Sequence, residues 1–259
     1  MDVVHAIPEA RLAADLEGAA QRGELLAHYQ PQIDLTTGRI VSVEALVRWD
    51  HPEYGIIAPN TFIPVAEWAG NIREVGRFVL QASTRQLSTW RDAGLELELS
   101  INVSPTELEG DLFCGEVLNA LAECSLNPPM LTLEITEAEP IVDLPHAVEC
   151  LNELRDLGIG VSIDDFGTGH SSPDQLHNLP ATELKVDQSL IRGTRQAARR
   201  VLHAVLAEAK ETGIRVVAEG VETADQLDHA IALGCDRAQG YLIGQPMPAA
   251  ALETLLRTA

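Results

Sequence analysis

The chain has few lysines and an excess of acid. Its 259 residues include 39 aspartates and glutamates but only 18 lysines and arginines, for a formal net charge of −21. Only Lys185 and Lys210 are lysines. Such an acidic surface repels nucleic acid, because non-specific binding requires basic side chains that displace counterions. The composition excludes a nucleic-acid polymer as partner, but it is compatible with a small phosphate ligand where bound metal reverses the local charge.

Membrane, export and cysteine signals are also absent. No run approaches the ~18 uncharged apolar residues of a membrane span, and residues 1–5 lack the basic-then-apolar layout of a signal peptide. We therefore expect a cytosolic protein, unless the chain is cut from a larger one. The four cysteines form no C-x-x-C pair, which predicts neither a zinc site nor a disulfide framework. We interpret them as small apolar core side chains: Cys114, Cys124, Cys150 and Cys235.

The second half of the chain alternates regularly between strand and helix patterns. Strands are predicted at 131–135, 159–164, 182–186, 214–218 and 236–242, and helices at 144–157, 196–212 and 224–233. The polar positions that end these strands are 20 to 34 residues apart, which fits one strand plus one crossover helix each. The pattern predicts a parallel sheet. Closure into a barrel is favoured, because no G-x-G-x-x-G loop supports a dinucleotide fold.

The first half predicts the remaining barrel elements. A helix is expected over 8–22, a hairpin from 28–35 and 39–49 around Thr37-Gly38, and a strand over 97–103. Helical spacing covers 64–93, and it covers 107–124 with interruptions near Gly110 and Gly115. A single (β/α)8 barrel of the TIM type suits a chain near ~250 residues. We predict such a barrel with an antiparallel first strand, in which residues 1–22 lead into a domain spanning 23–259.

Polar, mostly acidic residues stand at the carboxyl ends of the predicted parallel strands, and a barrel brings all these ends to one mouth. Each has a structural explanation on its own; Asp164-Asp165, for example, could open a helix. Carboxylates crowded together would cost several kcal/mol or take up protons, and divalent cations would remove this cost. A ligand set of oxygens without Cys or His favours Mg²⁺ or Mn²⁺ over zinc. The converging positions are Glu134, Asp164, Lys185, Glu219 and Gln239.

Nine short motifs occur in order along residues 12–255. They are Tyr29-Gln30-Pro31, Glu44-Ala45-Leu46-Val47-Arg48-Trp49, Phe62-Ile63-Pro64-x-Ala66-Glu67, Asn102-Val103-Ser104, Glu134-Ile135-Thr136-Glu137, Asp164-Asp165-Phe166-Gly167-Thr168-Gly169, Leu184-Lys185-Val186-Asp187, Ala218-Glu219-Gly220-Val221-Glu222-Thr223 and Gln239-Gly240-Tyr241. Together they resemble the EAL-domain phosphodiesterases, a bacterial family that hydrolyses cyclic di-GMP to linear pGpG. The resemblance covers nearly the whole chain and implies two Mg²⁺ or Mn²⁺ ions per site and a homodimer.

The resemblance also implies roles for individual residues. Those that match Glu44, Asn102, Glu134 and Asp164 hold one metal in such enzymes. Asp164 reaches toward the second metal, helped by Asp165 and Glu219. Lys185 resembles the lysine that orients or activates the attacking water. Glu219 could instead act as the base, and the sequence does not separate these two roles.

Further positions match residues around the metals and the nucleotide. Glu137 resembles a glutamate that steadies the loop after Asp165, while Gln239 and Glu222 resemble groups that position the water or the lysine. Arg48 is suited to clamp a phosphate, because its guanidinium is planar and permanently charged. The full set of positions expected near the substrate is Gln30, Leu46, Arg48, Pro64 and Asp187.

The sequence departs from the family's motif at two positions, and two other functional hypotheses remain open. His170 and Pro173 replace the family's usual tyrosine and leucine in the loop after the aspartates, which bears on activity and dimer strength. One alternative is a catalytically weak or inactive EAL module that acts as a cyclic di-GMP receptor or a protein-interaction domain. The other is an unrelated acid-rich barrel, such as a metal-dependent sugar or enolate enzyme. Assays of cyclic di-GMP binding and cleavage separate the three.

Overall fold

The computed structural model describes residues 7–136, 141–166, 179–191 and 196–258, without the side chains of 165, 191 and 196–201. The strands are β1 (Leu25–Asp34), β2 (Ile40–His51), β3 (Gly55–Ile57), β4 (Glu98–Val103), β5 (Leu131–Thr136), β6 (Gly160–Phe166), β7 (Glu183–Val186), β8 (Arg215–Ala218) and β9 (Arg237–Gln239). The helices are α1 (Glu9–Leu16), α2 (Pro59–Ala69), α3 (Ile72–Asp92), α4 (Phe113–Glu123), α5 (Leu144–Asp156), α6 (Gln188–Ile191), α7 (Gln196–Thr212), α8 (Ala224–Leu233) and α9 (Ala249–Thr258).

Eight of these strands close into a barrel, in the order β1-β9-β8-β7-β6-β5-β4-β2, and β1 pairs with β2 to complete the ring. Strand β1 is antiparallel to both its neighbours, whereas the pairings from β2 through β4 to β9 are parallel. The short strand β3 extends β2 outside the ring. The predicted barrel with an antiparallel first strand is therefore confirmed. Its parallel strands all end at one mouth, as required for the expected site.

The interior of the barrel is polar, which is unusual. Barrels of this type are generally filled by branched apolar side chains. Here the inward positions, which alternate along each strand, carry buried hydroxyl and amide groups, while the apolar positions between them pack outward against the helices. The buried inward residues midway along the barrel are Gln32, Ser42, Ser100, Thr132 and Ser162. This polar channel separates two charged layers, one at each end.

The lower layer, at the amino ends of the parallel strands, is an ion-pair network. Both terminal nitrogens of the Arg237 guanidinium, Nη1 and Nη2, lie 2.8 Å from oxygens of the Glu98 carboxylate. Arg215 Nη1 lies 3.2 Å from Glu98 Oε2 and 3.1 Å from Glu183 Oε2. Two acids thus face two bases. Burial alone would raise the pKa of Glu98, but Arg237 and Arg215 outweigh it and hold that pKa below its usual value.

Three expectations need correction. The helical pattern at 64–93 is two helices, because α2 ends at Ala69 and is capped by Gly70, whose φ of 78° is left-handed and suits a glycine cap. The region 107–124 is a short 3-10 helix, Pro105–Leu108, followed by α4, so the predicted interruption near Gly110 is observed, whereas Gly115 lies within α4. The pattern at 8–22 yields only α1, which ends at Leu16, before a run of turns that includes Gly18 at φ 73°.

Two of the four cysteines are not the unpaired fillers we expected. Cys114 on α4 and Cys150 on α5 form a disulfide, with their Cα atoms 6.0 Å apart. Neighbouring helices bring the two residues within bonding range, and a sequence separation of 36 residues gave no sign of it. Cys124 and Cys235 are free; Cys235 is buried, and burial raises the pKa of its thiol to about 11.

Candidate active site

Lys185 occupies the centre of the barrel mouth. It projects inward from β7, and only 1% of its surface is exposed. Its ammonium contacts carboxylates from four different strands, β2, β5, β6 and the end of β8. The distances from Nζ are 2.7 Å to Glu134 Oε2, 2.8 Å to Glu219 Oε1, 3.2 Å to Asp164 Oδ1 and 3.3 Å to Glu44 Oε2. The predicted convergence of these acids and the lysine at one mouth is therefore observed.

A chain of amides orients Glu44. Asn102 Nδ2 donates to Glu44 Oε1 at 2.6 Å, and Gln239 Nε2 donates to Glu44 Oε2 at 2.5 Å. The chain continues beyond Gln239, whose Nε2 also donates to Gln30 Oε1 at 3.0 Å and whose Oε1 accepts from Gln32 Nε2 at 2.7 Å. Glu44 is thus held from both sides before any ligand binds.

The charges in this cluster alter each other's protonation. Burial raises the pKa of Glu134 well above its usual value, and the neighbouring charge of Glu44 raises it further. Burial also raises the pKa of Glu219 well above normal, despite Lys185. For Glu44 burial acts in the same direction, but Lys185, Gln239 and Asn102 outweigh it and lower the pKa. Burial opposes the charge of Lys185, yet the surrounding carboxylates raise its pKa well above normal.

These residues fit divalent cations by their chemistry. Glu134 Oε1 is fully buried and has no hydrogen-bond partner in the described part of the chain, and a carboxylate oxygen in that position is a natural cation ligand. The surrounding donors are oxygens, as Mg²⁺ and Mn²⁺ prefer. Within the described residues, however, no three Asp, Glu, His or Cys side chains have the spacing of a formed metal centre. The carboxylates are arranged around the lysine instead.

A cavity of about 480 Å³ opens beside the cluster. Glu44, Asn102 and Asp164 line one part of it, and its walls include apolar side chains of β2, α2 and α3, among them Leu46, Ile63, Pro64, Val75 and Val79. This size and this mixture of apolar wall and few polar groups are typical of a small-ligand site. The predicted substrate-binding residues Leu46 and Pro64 both lie here.

The half-buried side chain of Glu107 lines the same cavity. Glu107 Oε2 accepts from the Ser104 backbone N–H at 3.0 Å, and the Ser104 hydroxyl donates to Glu67 Oε1 at 2.9 Å. A Cβ at Gly76 would lie 1.7 Å from Glu107 Oε1, so this helix position has no room for a side chain while Glu107 stays in place. Burial raises the pKa of Glu107 to about 7.

Other predicted site residues have different surroundings. Arg48 is half-buried on β2, where its Nη1 donates to the Val47 carbonyl at 2.8 Å, and burial lowers its pKa. Asp187 Oδ1 accepts from the Ser189 backbone N–H at 2.8 Å and so caps α6. Glu222 is exposed, just before α8. The structure does not bury Asp187 or Glu222 with the lysine cluster.

Several predictions lie outside the described residues. They concern Glu137, His170, Pro173 and the glycine-rich loop, as well as the side chain of Asp165. Three residues of the site were missed: Gln32, Gly76 and Glu107. Gln32 follows Gln30 at the two-residue period of β1, so the strand pattern could have revealed it. Gly76 and Glu107 meet only through the packing of α3 against the loop after β4, for which the sequence gives no local signal.

The structure defines a barrel protein whose polar side chains converge at the carboxyl ends of the strands, where such barrels carry their function. Comparison with known proteins gives the family. The model of the EAL domain matches residues 13–246. The cyclic di-GMP phosphodiesterase PA2567 of Pseudomonas aeruginosa is 42% identical over 231 residues, which are 88% of this chain and 39% of that protein.

Further relatives agree. The bifunctional diguanylate cyclase/cyclic di-GMP phosphodiesterase MucR of Pseudomonas aeruginosa is 39% identical over 242 residues, 92% of this chain and 35% of MucR. The solved complex of the PaMucR phosphodiesterase with c-di-GMP superposes with a TM-score of 0.85 at 39% identity, over 93% of this chain and 99% of that one. The EAL enzyme Bd1971, solved with cAMP and cyclic-di-GMP, superposes with a TM-score of 0.88 at 28% identity, over 98% of this chain and 70% of that one.

The chain belongs to the EAL domain family, as its motifs predicted. It spans little more than a third of the length of the two curated relatives described. Among the residues that the structure describes, no helix has the length and apolarity needed to cross a membrane.

Proposed function

We propose that this domain binds cyclic di-GMP and hydrolyses one of its phosphodiester bonds to give linear pGpG, with two Mg²⁺ or Mn²⁺ ions. The observation that carries the proposal is the convergence of four carboxylates and Lys185 at the mouth of the barrel, next to a cavity of nucleotide size. Relatives named as cyclic di-GMP phosphodiesterases share more than a third of their aligned residues with this chain.

The residues that would hold the ions are Glu44, Asn102, Glu134, Asp164, Asp165 and Glu219. When bound, the ions would supply Lewis-acid chemistry, lowering the pKa of a water and offsetting charge on the phosphate oxygens. The chain contributes geometry: Asn102 and Gln239 hold Glu44 in place, so little reorganisation is needed when the site fills. Glu219 lies close enough to Lys185 to serve either as a ligand or as the acceptor of a proton from water.

Lys185 would donate hydrogen bonds to the attacking water or to a phosphate oxygen, since its ammonium carries three N–H groups. Arg48, near the rim, would bind a phosphate. The apolar wall formed by Leu46 and Pro64 would exclude water and hold one base of the dinucleotide, and Gln30 would support the site through Gln239. Roles for Glu137, Glu222 and Asp187, the homodimer and the cytosolic location remain predictions.

The direct test is to incubate the purified chain with cyclic di-GMP and Mn²⁺ or Mg²⁺ and to separate the products by chromatography. We expect conversion to pGpG that stops when EDTA removes the metal. Retained cyclic di-GMP binding without any product would overturn catalysis and support the receptor alternative. Absence of both binding and product would overturn the proposed function and leave the protein-interaction alternative.

A further inference from the structure

We infer that Lys185 is a built-in competitor for the metal ions: its ammonium takes up carboxylate oxygens that divalent cations need, and so limits their affinity. This inference rests on the metal dependence in the proposed function. It concerns the binding of the ions, separately from any help that Lys185 gives to the attacking water. The geometry, the hydrogen-bonding capacity and the charge of the cluster each support it.

The geometry places the ammonium where the carboxylates converge. Glu44, Glu134, Asp164 and Glu219 each direct one oxygen to Nζ within 3.3 Å. No formed metal centre exists among the described acidic, histidine and cysteine side chains. The carboxylates are thus arranged around the lysine, and a cation that uses the oxygens facing Nζ must displace the ammonium from them.

The ammonium cannot satisfy all of its partners at once. It has three N–H donors, whereas four carboxylates surround it. In addition, Glu134 Oε1 is buried without a partner in the described residues. The cluster therefore keeps unused acceptor capacity in a site closed to most solvent. Such capacity favours the binding of a cation, while Lys185 determines the free energy needed to free the oxygens that the cation binds.

The charge count predicts which ion is affected most. When all four carboxylates are ionised, as metal binding requires, they and the ammonium sum to −3. Binding of the first divalent ion changes the net charge from −3 to −1, so the second ion enters a cluster with little negative charge left. Without the lysine, the second ion would instead meet a charge of −2. Because Coulomb energies between close charges in a protein interior are large, Lys185 should weaken the binding of the second ion proportionally more than that of the first.

The experiment compares Lys185→Met with Lys210→Met. Lys210 is the only other lysine of the chain and is exposed on α7, so the second variant is a matched control for loss of one lysine charge. Calorimetry at pH 8 measures Mn²⁺ affinity, and thermal unfolding is followed with and without Mn²⁺. We expect Lys185→Met to bind at least ~10-fold more tightly, equivalent to about 1.4 kcal/mol, and Lys210→Met to match the wild type.

The unfolding data carry a second readout. The metal-free Lys185→Met protein should melt at a lower temperature than the wild type, because its carboxylates repel one another without the ammonium. Its melting temperature should rise more on addition of Mn²⁺ than that of the wild type, because stabilisation by a ligand grows with the affinity for it. A lysine that only packs would lower the melting temperature equally with and without metal. Equal shifts, or Mn²⁺ affinity no greater than that of the wild type, would overturn the inference.

The wild-type protein provides a test that does not depend on the variant folding. With ¹³C-labelled lysine, the chain yields signals from two residues, which Lys210→Met assigns. Mg²⁺ should shift the Lys185 signal and leave the Lys210 signal in place. Metal binding by calorimetry with an unchanged Lys185 signal contradicts the inference alone. Absence of any metal binding to the wild type contradicts the metal dependence, and the proposed function with it.

Discussion

The two ends of the barrel carry the same kinds of side chain in different proportions. At the bottom, Glu98 and Glu183 face Arg215 and Arg237, so the formal charges cancel. At the mouth, four carboxylates face a single ammonium. Both ends include one buried carboxylate oxygen without a partner in the described residues, on Glu183 and on Glu134. The ends therefore differ in net charge, not in how fully each oxygen is bonded.

This difference separates stability from function. A balanced network leaves no charge for a ligand to neutralise, and the amino-terminal face of such barrels generally contributes stability. An excess of buried negative charge costs free energy, and the protein keeps it where cations and a phosphodiester are proposed to bind. Groups that violate the rules of a stable interior are expected mainly at functional sites.

The largest expected effect comes from exchanging one acid for its amide at each end. Glu44→Gln should lower turnover of cyclic di-GMP at least ~100-fold, about 2.7 kcal/mol in the activation barrier. It should also cost some stability, because Gln keeps an oxygen for Asn102 but presents an amide nitrogen to the donors Gln239 and Lys185. Glu183→Gln is the matched control on β7; it should reduce stability and keep turnover per folded molecule. Steady-state kinetics with denaturant unfolding of both variants measures this. Equal loss of turnover in the two variants would contradict the separation of function at the mouth from stability at the bottom.

The second effect concerns the bottom alone. Arg237 is 7% exposed and binds Glu98 through two nitrogens. Arg237→Met should reduce the free energy of unfolding by about 2 kcal/mol, because it leaves a largely buried carboxylate with Arg215 as its remaining partner. Turnover per folded molecule should stay near the wild-type value. Urea unfolding followed by circular dichroism gives the stability, and a variant as stable as the wild type would contradict the role of the network.

The sequence predicts the mouth better than it predicts the contacts within it. The rule that places strand-end residues together brought Glu134, Asp164, Lys185 and Glu219 to one site, and the helix predicted at 224–233 is α8. Both signals are local or follow from topology. Neither could show that the carboxylates surround the ammonium, because this depends on differences of a few tenths of an ångström in the positions of the side-chain atoms.

The errors share one physical cause. The break at Gly70 and the Cys114–Cys150 bond depend on how helices pack around the barrel, and the close approach of Gly76 and Glu107 depends on α3 meeting the loop after β4. Helical spacing is the same on either side of Gly70, so periodicity gives one long helix. Contacts between distant segments leave no periodic pattern in a single sequence.

The smallest effect is a difference in pH dependence between a carboxyl in an ion-pair network, Glu98, and one that accepts from a backbone N–H, Glu107. Burial raises the pKa of Glu107 to about 7 in the folded protein, whereas its value in the unfolded chain is near ~4.3. Between these values the folded state holds a proton that the unfolded state has released, so this group makes stability fall as the pH rises. For Glu98, whose folded pKa is lowered, stability is instead lost as the pH falls into the acid range.

Glu107→Gln removes the first of these dependences, and the amide oxygen can still accept from the Ser104 N–H. The stability of the wild type relative to this variant should decline by about 1 kcal/mol between pH 6 and 7. Relative to Glu98→Gln, the wild type should keep its advantage over that interval and lose it only in acid. Chemical unfolding at a series of pH values measures both. Parallel curves for the wild type and Glu107→Gln from pH 5 to 8 would show that the carboxyl beside Gly76 is not held protonated, since a group that titrates alike in both states adds no slope.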